Sequence, residues 1–279
     1  MKHIVQLGVA GFGNRISVLG YCLDLALAHD CTIEPRWYDS SWREGFERYF
    51  QLRSERLCWF GNSLELLGRI YPPELKDSFQ PSSKAKLGPK AIQDLERCGA
   101  FKVDSALAAN ADTFVVCKYL AEYSDAIFDF LALQPLVIDY LSLVLDKVKP
   151  PFDCWHIRNT DKSGPPWQEV LLQIQSRLAL KPQIIITDSF QVKIQAQAAG
   201  IYCNSTIPEV TRAGIGVHHL NQSDLEKFGL TKDLLNLNLI SDLFLAGAAE
   251  EFFETCPNSS FSRFVTRARS VGWFRRHLP

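Results

Sequence analysis

Apolar and polar positions alternate in two rhythms along the chain. Short apolar runs at 4–9, 114–117, 152–157 and 183–187 predict strands buried on both faces. Helical spacing appears between them: Val18, Leu19, Cys22, Leu25 and Ala26 mark one face of a helix over 15–28. Further helices are expected at 168–178, 192–199, 240–249 and 261–269, with a short strand at 251–255. The stretch after Cys117 reads as helical through Asp146. Residues 31–100 are less regular, with Trp37, Trp42, Tyr49, Trp59 and Tyr71 at no fixed period, and 72–89 reads as an exposed Pro/Ser/Lys loop. Strands alternating with helices imply parallel sheets covered on both faces, and no internal repeat is present.

Lys147-Val148-Lys149-Pro150-Pro151 reads as a stiff, charged linker, which divides the chain into an N-terminal α/β domain, 1–148, and a C-terminal one, 149–279. The 279 residues are 47% hydrophobic and 22% charged, a soluble globular composition with a formal net charge of -1. That balance excludes general attraction to nucleic acid or an anionic membrane. Arg263, Arg267, Arg269, Arg275 and Arg276 make one basic patch, which suits a small anion better than a polymer.

The longest apolar stretch, 126–145, is broken by Asp129, Pro135 and Asp139, so no transmembrane segment is expected. The first residues form too short an apolar run for a signal peptide. The 8 cysteines include no Cys-x-x-Cys, so reduced core thiols, a cytoplasmic location and no metal site are expected.

Three segments place small or polar groups just after a buried strand, where ligands bind in open α/β sheets. His156-Ile157-Arg158-Asn159-Thr160-Asp161-Lys162 ends one strand, with His156 and Arg158 on the face opposite Trp155 and Ile157. The forked donors of Arg158 suit a diphosphate; a salt bridge to a neighbouring acid is the plain alternative. Pro257-Asn258-Ser259-Ser260-Phe261-Ser262-Arg263 sets hydroxyls at a helix N-terminus, which makes an anion site or a simple cap. Gly8-Val9-Ala10-Gly11-Phe12-Gly13-Asn14-Arg15 opens a helix after the first strand, and Glu34 stands near the place of a ribose-binding acid. Ile16 sits where a dinucleotide fingerprint needs its third glycine. The other reading is a turn that admits a ligand to the backbone, with Asn14 and Arg15 pointing into a cleft. Asp188, after a buried strand, either holds a nucleoside or caps the next helix.

In this order the segments resemble the GDP-fucose-dependent fucosyltransferases, a group that includes α-1,6-, α-1,2-, Nod-factor and protein O-fucosyltransferases. His156 to Lys162 resembles their His-x-Arg-Arg motif, Gly11 to Arg15 their N-terminal Gly-x-Gly-Asn turn, and Asn258 to Ser262 their Ser-Ser-Phe-Ser motif. Asp242-Leu243-Phe244-Leu245 resembles the helix before that last motif. The resemblance implies a GT-B-like α/β fold, with two Rossmann-type domains facing a cleft and GDP held by the second. It implies that Arg158 is catalytic and contacts the diphosphate, and that His156 supports its loop. Asp188 would hold the nucleoside, and Ser259, Ser260, Phe261 and Ser262 would form the phosphate site. Gly11, Phe12, Gly13, Asn14 and Arg15 would lie near the sugar and the acceptor.

Asn159 replaces the second arginine of the motif, and Asp161 and Lys162 are further site candidates, Asp161 as a base. No Asp-x-Asp is present, so the implied reaction is an inverting, metal-independent transfer of fucose to a glycan or other hydroxyl acceptor. GDP-fucose would serve as donor, with no cofactor. A non-catalytic nucleotide-sugar or glycan-binding module and an NAD-dependent oxidoreductase are the alternative readings.

Overall fold

A computed structural model describes residues 1–37, 42–54, 68–79, 89–120, 122–159, 165–209, 220 and 222–278, leaving out the side chains of 77–79 and 89. The chain forms two compact units, 1–39 with 45–132 and 40–44 with 133–279.

The first unit contains β1 (His3–Leu7), α1 (Phe12–His29), β2 (Thr32–Arg36), β3 (Phe50–Leu52), β4 (Ile70–Tyr71), α2 (Pro89–Arg97), α3 (Val103–Ala108), β5 (Thr113–Val116) and α4 (Ala126–Phe130). β6 (Leu131–Leu133) runs across the boundary and pairs with β3. A parallel sheet in the order β2-β1-β5-β4 carries the unit, with Ile4 opposite both Ile33 and Phe114. Val5, Val115, Leu75, Ile92 and Phe101 pack together as one apolar cluster.

The sequence reading missed β2 because Pro35 interrupts its pattern. At a sheet edge a strand needs only one row of backbone donors, and Pro35 is tolerated there. Two of the aperiodic aromatics have an explanation: Trp37 and Tyr49 join Phe12, Phe46 and Phe50 in one cluster, with Trp37 and Phe46 5.1 Å apart and Tyr49 and Phe50 6.4 Å apart. Residues Pro73–Phe79 form a 3-10 helix that buries Leu75, which corrects the expected loop for that part. Pro89 already opens α2, and 80–88 lie outside the described residues.

The second unit contains α5 (Pro135–Val148), β7 (Asp153–Ile157), α6 (Trp167–Arg177), β8 (Gln183–Thr187), α7 (Phe190–Ala198), β9 (Tyr202–Cys203), α8 (Gln222–Glu226), α9 (Lys232–Ala248), β10 (Phe252–Glu254) and α10 (Ser260–Ser270). Its sheet is parallel in the order β10-β7-β8-β9. Trp155, Ile157 and Ile185 pack against Val170 and Ile174 of α6 and Val192 and Ala196 of α7.

The expected continuous helix through Asp146 is instead α4, β6 and α5, and Pro135 restarts the helix in its first turn, where a missing N–H costs nothing. α9 begins well before the expected residue 240, because Thr231 caps it by accepting the Leu234 N–H at 3.2 Å. Among the described residues no helix is long and apolar enough to cross a membrane. Cys22, Cys31, Cys117, Cys154, Cys203 and Cys256 are buried thiols outside any disulfide, and Cys98 is an exposed one.

The chain between β1 and α1 is tightly constrained. Gly8 donates its N–H to the Arg36 carbonyl at 2.8 Å, and a Cβ there would overlap the Arg15 guanidinium and press on the Trp37 backbone. Ala10 takes a positive φ of 59°, and Gly11 caps α1 in an extended conformation. Gly8→Ala is therefore expected to lower stability by about 1–3 kcal/mol, the scale of overpacking a filled core, read as a drop in Tm.

Candidate functional site

The carboxyl ends of β10, β7 and β8 are neighbours in the second sheet, and the predicted residues of this unit gather there. His156 and Arg158 belong to the end of β7, Asp188 follows β8, and Ser259 to Ser262 follow β10 as the start of α10. His156 Nδ1 and Ser262 Oγ share a hydrogen bond of 2.7 Å, and the imidazole lies 4.6 Å from the Phe261 ring. Thr255 donates its N–H and its hydroxyl to the His156 carbonyl, at 3.1 and 3.0 Å. The turn that opens α10 is thereby locked against β7.

His156 is 4% exposed, and burial, reinforced by the nearby Arg158 charge, holds its pKa down to about 3. The imidazole is a neutral hydrogen-bonding strut, and the positive charge of the strand end sits on Arg158.

Arg158 Nε lies 3.6 Å from Asp188 Oδ2, and Asp188 Oδ1 accepts the Asn159 N–H at 2.9 Å. Asp188 thus ties the β7 loop to β8. It does not cap α7: Ser189 does, accepting the Val192 N–H at 3.5 Å. The first turn of α10 presents backbone N–H groups without intrahelical acceptors, and its dipole favours an anion. Ser259 occupies the cap position with no side-chain capping bond, and its Oγ is buried without a partner.

In the first unit Gly11 has open space where a Cβ would stand, so backbone there is approachable. Phe12 and Gly13 form the buried first turn of α1 rather than a loop. Asn14 is turned inward: its Nδ2 donates to the Val9 and Lys118 carbonyls at 3.1 and 3.2 Å, and its Oδ1 accepts the Leu120 N–H at 2.9 Å. Arg15 is fully buried, donating to the Ala10 and Trp37 carbonyls at 3.0 and 2.8 Å. Both side chains clamp the turn rather than point outward, since a buried guanidinium needs fixed acceptors. Glu34 pairs with Arg36 at 2.7 Å. Asp161 and Lys162 lie outside the described residues.

The sequence reading missed a buried network behind the strand ends. Asp242 of α9 accepts the Ser205 hydroxyl at 2.6 Å and the Asn204 amide at 3.0 Å. Ser205 Oγ in turn accepts the Thr187 N–H at 3.3 Å, and Lys193 Nζ donates to the Ser205 carbonyl at 2.7 Å. The signal was a set of polar residues, Asn236, Asn238, Ser241 and Asp242, along the buried length of a helix that otherwise reads as apolar. Burial pushes the Asp242 pKa up to about 7 against the pull of its donors. Among the described residues no three His, Cys, Asp or Glu side chains are grouped to hold a metal ion.

Solved structures supply the comparison. The NodZ α-1,6-fucosyltransferase co-crystallised with GDP matches at a TM-score of 0.64 and 16% identity, over 95% of this chain and 91% of that one. The chain shares a fucosyltransferase fold. POFUT1 in complex with GDP-fucose follows at a TM-score of 0.56 and 13% identity, over 100% of this chain and 95% of that one. Arabidopsis thaliana FUT1 in complex with GDP matches at 0.52 and 12% identity, over 96% of this chain and 68% of that one. The expected GT-B-like α/β architecture with parallel sheets is therefore the observed one. No protein-family model and no curated protein matches the sequence.

His156 and Asp242 pull stability in opposite directions with pH. Native His156 refuses a proton that the unfolded chain binds between pH 6.5 and about 3, so its contribution is lost as pH falls. Native Asp242 keeps a proton that the unfolded chain releases between pH 3.8 and about 7, so its contribution is lost as pH rises. The two offset each other between pH 3.8 and 6.5. His156→Gln should then expose a stability that falls with rising pH there, and Asp242→Asn one that rises. Each slope should approach about 1.4 kcal/mol per pH unit in denaturant titrations.

Proposed function

We propose that the protein is a glycosyltransferase that moves fucose from GDP-fucose to a hydroxyl acceptor, with inversion and without a metal ion. The observation that carries this reading is Arg158, set at the end of a central parallel strand beside the N-terminus of α10, in a fold shared with fucosyltransferases solved with GDP and GDP-fucose. The conjunction of this fold with the His156, Arg158 and Ser259 to Ser262 segments in one place supports it over a likeness of fold alone.

In the reaction the bond from sugar C1 to the β-phosphate oxygen breaks, and its electron pair stays on GDP. The acceptor oxygen bonds C1 from the opposite face, and its proton passes to a base, for which Asp161 is our candidate. Arg158 and the α10 N-terminus stabilise the charge that grows on the departing diphosphate, the step at which fixed donors matter most. His156 keeps the α10 turn in register and, being neutral, adds no competing charge. Asp188, once Arg158 turns to the diphosphate, is left to accept hydroxyls of the nucleoside.

In this reading residues 149–279 hold the nucleotide and 1–148 serve the acceptor, with Gly11 as the place where backbone is open to it. The buried free thiols are in keeping with the cytoplasm. A binding module that has lost catalysis is the second reading, favoured by Asn159 and by the carboxylate already paired with Arg158.

Calorimetry with GDP and GDP-fucose, with and without EDTA, tests the donor site, and an acceptor screen tests turnover. Binding that survives EDTA, and turnover reduced about 100-fold in Arg158→Ala, are the expected results. Absence of guanine-nucleotide binding would sink the reading, and binding with no turnover on any acceptor would leave the binding module.

A further inference from the structure

Asn159 leaves the end of β7 with one guanidinium where the motif it resembles has two. A departing diphosphate gains negative charge as its bond to the sugar breaks, so a single arginine leaves much of that charge to other donors. The first turn of α10 contains a second guanidinium. Arg263 lies one turn beyond Ser259 and on the same side of the helix. Helical side chains lean toward the N-terminus, and Arg263 Nη2 reaches back to the Asn258 carbonyl, ahead of the helix, at a long 3.4 Å.

Two buried atoms at this helix mouth have no hydrogen-bond partner. Arg263 Nε is one, and the Oγ of Ser259, a residue 1% exposed, is the other. Buried donors and hydroxyls are normally paired, and an orphaned guanidinium N–H is costly. Neither a cap nor a structural arginine explains these atoms, since each role consists of making the bond that is missing here. The Ser262–His156 bond holds the same turn against β7, the strand that carries Arg158.

We infer that Arg263 adds a second phosphate contact beside the already assigned Ser259, supplying the positive charge that Asn159 removes. This inference rests on the donor reading above. The guanidinium donates to a phosphate oxygen, the Ser259 hydroxyl donates to the same group, and the backbone N–H groups of the α10 turn complete the cradle.

The test titrates wild type, Arg263→Gln, Arg263→Lys and the double variant Arg263→Gln/Asn159→Arg with GDP, GMP and inorganic pyrophosphate, with Tm followed in parallel. Arg263→Gln should weaken GDP and pyrophosphate by about 10- to 100-fold, the scale of losing a charged hydrogen bond, and GMP much less. Asn159→Arg should restore part of the loss. If Arg263→Gln does not fold, Arg263→Lys, which keeps the charge but not the fork, carries the test through a weaker pyrophosphate affinity at an unchanged Tm. Unchanged GDP and pyrophosphate affinities would overturn the inference while leaving the donor site intact. Equal losses for all three ligands with a lowered Tm would overturn it too, making Arg263 a prop of the helix end. A wild type that binds pyrophosphate through Arg263 but not GDP would sink the nucleotide reading alone, and one that binds neither would sink both.

Discussion

The strand-end cluster of the second unit depends on one buried hydrogen bond, the 2.7 Å contact between His156 and Ser262. It joins a central strand to the first turn of the helix that follows the neighbouring strand, at the point where both change direction. The bond works because the imidazole is neutral: a buried imidazolium would repel Arg158 and pay for desolvation as well. The neighbouring arginine helps to enforce that neutrality. Two residues apart at the strand end stand one charged group and one uncharged strut, so charge and support are kept on separate side chains.

Behind this contact the support is polar and closed. Asp242, Asn204 and Ser205 satisfy one another and reach the Thr187 backbone, which precedes Asp188. Asp188 then grips the loop after β7 through the Asn159 N–H and faces Arg158. The strand-end groups thus stand on rigid elements with a hydrogen-bonded second layer, the arrangement that holds a site to sub-ångström geometry.

Strand and helix periodicity revealed most of the second unit, because its strands are uninterrupted apolar runs and its helices have clear faces. It failed where tertiary context overrode local preference: Pro35 hid an edge strand, Pro135 split a supposed long helix, and the aromatics of 37–50 served a cluster rather than a period. Strand-end placement brings His156, Arg158, Asp188 and the serines to one end of the sheet, as in the structure, since residue type and position there are both local. Direction was not legible. Nothing in the local pattern says that Asn14 and Arg15 turn inward to carbonyls supplied by Lys118 and Trp37, far along the chain. The network of Asp242 was hidden for the opposite reason: in the sequence the residue stands only as part of an apolar helix.

If the donor reading holds, the pairing of Arg158 with Asp188 sets a threshold for an incoming anion. A bare guanidinium at a strand end would collect any passing phosphate, and the cell is full of them. Here an incoming anion has to compete with a carboxylate already in place, and the exchange is favourable only if the newcomer also engages the helix mouth and gives the released carboxylate something to hold. Inorganic phosphate offers the first contact without the second. In that reading a nucleoside diphosphate would offer both, so the ion pair would discriminate by the length and composition of the visitor rather than by its charge.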